Sequence, residues 1–275
     1  MTDLIDRCAA HGWTLRPDGD GYELIGNGQP ASFRSEESVR VWLEKQRAPT
    51  VKLPTFEAMR NQIMTGDARI LAAQIPDQSI DLIFTDPIYS EQPLYDLLAS
   101  IALRVLKPHG AVLCWSNGKW HRQNANWLEA AGLTYRYDFG CVITTGNAPM
   151  NGKIISKTNR LIWLDIDSQS KMRGYLADGY ASAVWSRLHS EWAWTKNPIY
   201  CEQAINVFAP ANAFILDPYA GHATIPSVAK VAGRDYIGFE IDPERADKAR
   251  QRLEHTQAID PVFLEEQVPL FAESD

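Results

Sequence analysis

Asp86-Pro87-Ile88-Tyr89 closes the apolar run Ile80-Asp81-Leu82-Ile83-Phe84-Thr85. A carboxylate, a proline carbonyl and an aromatic ring at the end of a buried strand can grip a flat ring that bears an amino group. The two acceptors take the N–H bonds, and Tyr89 offers a face to stack on. An exocyclic amine is a poor nucleophile because its lone pair is delocalised into the ring. Two well-placed acceptors stabilise the charge that develops on that nitrogen as it attacks an electrophile. Ile88 favours extended backbone, so the carbonyl of Pro87 can still point at the amine. By itself the tetrapeptide reads equally well as a turn that ends a strand.

A second group of residues supplies a place for the electrophile. Phe214–Leu216, Asp217-Pro218-Tyr219-Ala220-Gly221-His222-Ala223 and Thr224 read as a strand, a tight turn of small residues and a helix start. Such a turn lets a ligand approach the backbone at the carboxyl edge of a sheet. Tyr236–Asp242 ends a second strand at Glu240, where a carboxylate can accept both ribose hydroxyls of a nucleoside. Nicotinamide cofactors fit this pattern too. Gly221 is the only glycine in the turn, however, whereas a dinucleotide pyrophosphate needs more open backbone at a helix N-terminus. The balance favours S-adenosylmethionine, and no step calls for a metal.

The elements that must position these groups follow from the apolar pattern. Short continuous apolar strands alternate with helices from about residue 60: Ile80–Thr85, Ala111–Trp115, Ala213–Leu216 and Tyr236–Phe239 as strands, and Leu94–Leu106, Trp120–Ala131, Thr224–Ala232 and Pro243–Leu253 as helices. Lys107-Pro108-His109-Gly110 is expected to end the helix Leu94–Leu106. The pattern predicts an α/β fold with a doubly wound, mostly parallel sheet. Residues 1–50 read as a small α+β appendage, stabilising, dimerising or DNA-contacting. In it Leu4–His11 is helix-like, Gly12–Arg16 and Tyr22–Ile25 are extended, Pro17–Gly21 is a turn, and Ser35 caps a helix with Val39, Val41 and Trp42 on its apolar side.

The expected division is 1–50 as appendage, 55–118 as the catalytic half, 119–196 as an insert, 197–257 as the cofactor half and 258–275 as an acidic tail. At 275 residues and 45% hydrophobic, the chain can bury a full core. A net charge of −7 excludes a wholly basic nucleic-acid coat but not a local basic groove. Residues 119–196 carry ten Lys/Arg against six Asp/Glu. Lys153, Lys157, Arg160, Lys171 and Arg173 are the candidates for phosphate contact there, with Thr144–Lys157 as a loop for reading base edges. Trp163 and Trp185 read more readily as core than as DNA-stacking residues. The four cysteines are scattered, with no C-x-x-C pair, which suits a reducing intracellular compartment. No membrane span or secretory leader is expected, and a homodimer is among the expectations.

Taken together these segments resemble the amino-group (D-P-P-Y type) S-adenosylmethionine-dependent DNA methyltransferases whose catalytic box precedes the cofactor turn, the beta arrangement. Asp86, Pro87 and Tyr89 match the box, with Ile88 as the departure. Asp217, Pro218, Gly221 and Thr224 match the D-P-F-x-G-x-G-T motif, with Tyr219 for Phe and Ala223 for the second glycine. Gly66-Asp67-Ala68 resembles the G-D segment whose acid contacts the donor adenine. Thr195–Pro198 is similar to the K-P segment that closes over the donor's amino-acid end, and Asn159–Trp163 to the strand after the recognition insert. The resemblance implies a Rossmann-like methyltransferase fold with a recognition insert. Its implied donor site holds S-adenosylmethionine through Asp67, Ala68, Asp217, Tyr219, Gly221, Ala223, Thr224, Glu240 and Ile241.

The implied reaction is methylation of a flipped-out base in double-stranded DNA. Aspartate at the first box position favours adenine N6 over cytosine N4. Three alternatives stay open: a cytosine-N4 enzyme, an enzyme methylating another planar amide or amine, and a DNA-binding module that has lost catalysis.

Overall fold

The computed structural model describes residues 13–18, 21–26, 31–33, 35–36, 38–39, 53–143, 158–167, 170–176, 180–182, 196 and 198–256. The chain divides into two units, residues 1–53 and 54–275.

In the first unit β1 (Trp13–Asp18), β2 (Gly21–Gly26) and β3 (Ala31–Phe33) form an antiparallel sheet in the order β1-β2-β3. The expected turn over Pro17–Gly21 is shorter than its residue types suggest. Pro17 pairs with Tyr22 and Asp18 with Gly21, so the strands run to either side of a two-residue connection. Proline is tolerated in edge strands, and β1 lies at the edge of this sheet. The Ser35 hydroxyl accepts from the Ser38 amide at 3.2 Å, as its N-cap role requires, and Val39 is buried. Leu4–His11, Val41 and Trp42 lie outside the described residues.

The second unit runs α1 (Phe56–Met59), β4 (Gln62–Thr65), α2 (Ala68–Ala72), β5 (Ile80–Thr85), α3 (Gln92–Val105), β6 (Leu106–Asn117), α4 (His121–Ala130), β7 (Thr134–Ile143), β8 (Thr158–Asp165), β9 (Tyr180–Ser182), α5 (Pro198–Phe208), β10 (Phe214–Asp217), α6 (Thr224–Val231), β11 (Asp235–Glu240) and α7 (Pro243–His255). Among the described residues eight strands form one sheet in the order β4-β11-β10-β5-β6-β8-β7-β9. The first five are parallel, β8 is antiparallel to both β6 and β7, and β9 is parallel to β7. This is the expected α/β class with a mostly parallel sheet.

The sheet is buried on both faces, which is why its central strands are apolar without alternation. Leu82, Phe84, Leu113, Trp115, Leu161 and Ile215 belong to one core, and Ile83, Val112, Cys114, Ile162 and Leu216 to the other. Asp81 is the charged exception in β5. It accepts from Lys107 Nζ at 2.7 Å and from the Phe214 amide at 2.8 Å, tying β5 to both neighbours near their amino ends.

Two boundaries differ from the pattern. Lys107–Gly110 does not form a loop after α3; it belongs to β6, with His109 at φ 69° absorbing the break. The segment 119–196 contributes strands to the main sheet. Asn159–Trp163 lies within β8 as the resemblance implied, and β7 beside it is a further sheet strand that the polar alternation of Thr134, Arg136 and Asp138 conceals. Trp163 packs against the first core and Trp185 lies outside the described residues. Among the described residues no helix is long and apolar enough to cross a membrane.

Gly238 in β11 sits close against β4, the turn at Ala220 and α6. A Cβ there would stand 2.5 Å from Ile63 Cδ1, 3.0 Å from Ala220 Cβ and 3.3 Å from Pro226 Cγ. Gly238→Ala is expected to destabilise the second unit by about 1–3 kcal/mol through overpacking, read as a lower midpoint in urea unfolding at unchanged slope.

Candidate active site

The acidic residues of the acceptor box and of the donor segments lie at the carboxyl ends of four neighbouring parallel strands. Asp67 follows β4, Asp86 follows β5, Asp217 ends β10 and Glu240 ends β11. The chain leaves β5 toward β6 on one side and β10 toward β11 on the other, so a crevice opens where the winding reverses. A cavity of about 670 Å³ occupies it, and Asp67, Asp86, Pro87, Asp217, Gly221 and Glu240 are among its walls.

On the acceptor side the Tyr89 hydroxyl donates to Asp86 Oδ1 at 2.9 Å, and the Lys196 ammonium pairs with Asp86 Oδ2. Lys196 Nζ also lies 5.4 Å from the Tyr89 ring centroid and 5.9 Å from that of Trp115. Burial, then the Asp86 charge, push the Tyr89 phenol far above its usual range, so it stays a donor. The backbone of the box is held from α4. Asn124, fully buried, donates from Nδ2 to the Tyr89 carbonyl at 2.8 Å and accepts from Ser116 Oγ at 2.6 Å. Ile88 is 58% exposed and forms part of the cavity wall.

The two sides meet at one buried contact. Thr85 Oγ1, the residue before Asp86, donates to Asp217 Oδ1 at 2.7 Å, and the Tyr219 amide reaches the same oxygen at 3.2 Å. Burial raises the Asp217 carboxyl to about 7, against the lowering effect of those hydrogen bonds. Gly221 takes φ 52° and donates its amide to Glu240 Oε2 at 2.9 Å, while the Asp242 amide donates to Oε1 at 2.9 Å. Glu240 is therefore oriented by backbone donors, and each oxygen keeps a lone pair for a ligand hydroxyl. Ala223, where the motif carries glycine, is at φ 57° and ψ 41°. This left-handed backbone explains the glycine preference; alanine adopts it at a cost of about 1 kcal/mol.

The other donor-side residues are placed as follows. Asp67 caps α2 through the Arg69 amide at 2.8 Å and is also paired with the Arg69 guanidinium, which holds its carboxyl below the usual range. Ala68 is buried and lines the cavity. The Tyr219 hydroxyl donates to the Leu94 carbonyl at 2.7 Å, and Thr224 accepts from Arg252 at 3.3 Å. Ile241, 66% exposed, gives the cavity rim an apolar cover.

The N6/N4 DNA methylase family profile matches residues 115–251, spanning the second half of the site just described. The chain belongs to this family of amino-group DNA methylases. It is 23% identical to the type II methyltransferase M.BamHI of Bacillus amyloliquefaciens over 240 residues, covering 68% of this chain and 56% of that relative's length. Among solved structures, PvuII DNA methyltransferase (cytosine-N4-specific) superposes with a TM-score of 0.62 at 14% identity, covering 74% of this chain and 89% of the other. The M1.HpyAVI–SAM complex superposes with a TM-score of 0.56 at 20% identity, covering 70% and 98%.

The candidate DNA contacts of this DNA methylase family member are dispersed. Lys153 and Lys157 lie outside the described residues. Arg160, on β8, pairs with Asp138 of β7 at 3.3 Å. Lys171 and Arg173 are exposed, and the Arg173 guanidinium donates to the Phe208 carbonyl at 3.1 Å. Of the described candidates, Arg160, Lys171 and Arg173 do not line the cavity. Sequence reasoning missed Thr85, Ser116, Asn124 and the placement of Lys196. Their residue types carry no signal, and each acts only through a partner brought near by folding. Among the described residues no group of three or more His, Cys, Asp or Glu is placed to hold a metal ion.

Asn124→Ala leaves the Tyr89 carbonyl and the Ser116 hydroxyl unpaired in a buried place. It is expected to cost about 1–3 kcal/mol of stability, measured by chemical unfolding. Asp217 gives a pH test of opposite character. Its folded carboxyl titrates near 7 against 3.8 for the free group, so the folded protein holds a proton that the unfolded chain has released. That contribution to stability is full below pH 3.8 and is lost as pH rises through about 7. Urea titrations from pH 5 to 8 should show a decline that Asp217→Asn flattens.

Proposed function

We propose that this chain is an S-adenosylmethionine-dependent DNA methyltransferase that methylates the exocyclic N6 of adenine in a flipped-out base. The observation that carries the reading is the single cavity shared by the acceptor pair, Asp86 with the Pro87 carbonyl, and the donor-side carboxylates Asp217 and Glu240. Family membership supports DNA as the substrate class, and the named SAM complex of a similar fold supports the methyl donor.

The residues fit such a donor. Glu240, with a lone pair left on each oxygen, suits ribose hydroxyls. Asp67 and Ile241 flank space for a purine, and the buried Asp217 suits a cationic amino group. When bound, the sulfonium supplies an electrophilic methyl and leaves as a neutral thioether. Asp86 and the Pro87 carbonyl hold the two amine N–H bonds, and Tyr89 stacks on the base. They thereby align the nitrogen with the S–CH3 bond and stabilise its developing charge. The methylated nitrogen then releases one proton to solvent. Extruding the base costs a few kcal/mol of stacking, which DNA contacts outside the cavity offset.

Aspartate at position 86 favours adenine. The second reading, cytosine N4, is supported by the stated specificity of the PvuII enzyme, whose fold is similar. Incubation with unmethylated genomic DNA and S-adenosylmethionine, followed by nucleoside mass spectrometry, separates them. N6-methyladenine is expected, and Asp86→Ala should reduce it at least about a hundredfold. N4-methylcytosine alone would establish the second reading, and neither product would reject both.

Asp217 also ties donor binding to pH. S-adenosylmethionine affinity, measured by calorimetry, should weaken as pH falls from 8 to 6, because protonation near 7 removes the charge facing the donor's ammonium. Asp217→Asn should bind more weakly and lose that dependence.

A further inference from the structure

Lys196 stands just before α5 and far in sequence from the box, yet its ammonium occupies the place argued above for the substrate. It pairs with Asp86 Oδ2, faces the Tyr89 ring at 5.4 Å and the Trp115 ring at 5.9 Å, and has a side chain only 12% exposed. The acceptors that suit an aromatic amine suit a primary ammonium equally well, since both are nitrogens presenting N–H bonds. Asp86 Oδ1 is meanwhile taken by the Tyr89 hydroxyl. Both oxygens are therefore engaged before any base arrives.

Lys196 and a reacting amine cannot share the site productively. The attacking nitrogen becomes positive in the transition state, and an ammonium on the same carboxylate would oppose that charge at short range. We propose that Lys196 is a built-in occupant of the acceptor site: it neutralises Asp86 in the enzyme without DNA and must withdraw when the target amine enters. This rests on the methyltransferase reading above. Its consequence is a binding penalty, because only the fraction of molecules with Lys196 withdrawn is competent. The sign of that effect separates an occupant from a DNA ligand. A lysine that contacts phosphate strengthens binding, whereas an occupant weakens it.

The test starts from the methylation site mapped by sequencing of DNA modified by the enzyme. A duplex carrying that site is titrated by fluorescence anisotropy with S-adenosylhomocysteine present. Lys196→Met is expected to bind it about three- to tenfold more tightly, the scale of one partly exposed ion pair. Lys196→Arg, which keeps the charge, should bind like the parent. In turnover the Met variant should show the tighter binding as a lower KM for the duplex. Weaker binding by Lys196→Met, or a collapse of kcat with binding retained, would overturn the proposal.

A second measurement needs no DNA. Acetylation of Lys196 by an amine-reactive ester, followed by peptide mass spectrometry, should be slow in the parent and several-fold faster in Asp86→Ala. Equal rates would mean that Asp86 does not hold the lysine. Should the enzyme methylate no DNA, the functional reading fails, while this labelling comparison still reports on the contact itself.

Discussion

The hydrogen bond from Thr85 to Asp217 joins the two halves of the site. It crosses from β5 to its parallel neighbour β10, is fully buried, and lies next to Asp86 on one strand and the tight turn at Tyr219–Gly221 on the other. A carboxyl group buried this deeply stays only if its polar atoms are satisfied. Thr85 and the Tyr219 amide satisfy Asp217 Oδ1, and in doing so they fix the acceptor box against the donor turn. Transfer of a methyl group between two bound molecules depends on their relative placement, so this contact sets the frame for the chemistry.

The surrounding elements repeat the same solution. Glu240 is buried because the Gly221 and Asp242 amides orient it, and Gly221 can donate because its backbone adopts a positive φ. The Tyr89 carbonyl is held by Asn124, itself fixed by Ser116. The strand ends thus carry a row of acidic groups whose cost is offset by local donors and by cations, Arg69 at Asp67, Arg245 near Glu240 and, from far along the chain, Lys196 at Asp86. Parallel strands buried on both faces supply the rigidity. Leu82, Ile83 and Phe84 have no exposed surface, and each such burial contributes about 1.5–3 kcal/mol.

Much of this frame was legible in the residue pattern, because buried parallel strands are continuous apolar runs and helix ends carry their own punctuation. Ile80–Thr85 and Tyr236–Phe239 are of this kind, and Gly132 and Gly233 end helices with positive φ as their type suggests. What was hidden depends on tertiary pairing. β7 alternates polar and apolar residues toward one end of the sheet and reads as part of an irregular insert. Pro17 reads as a turn residue but lies in an edge strand. In the site, the motif positions cluster on one cavity, whereas Asn124, Thr85 and Lys196 acquire roles only through partners distant in sequence. Most of the basic residues expected at DNA stand apart from that cavity, since charge composition marks a segment and not a location.

The central claim is that one crevice at the ends of β4, β11, β10 and β5 holds donor and acceptor together. A crystal structure with S-adenosylhomocysteine tests it most directly. The account predicts the ribose on the Glu240 carboxylate, the amino group at Asp217 and the sulfur facing the Asp86–Pro87 acceptor pair. Nucleoside bound elsewhere on the chain, or a sulfur turned away from Asp86, would contradict it.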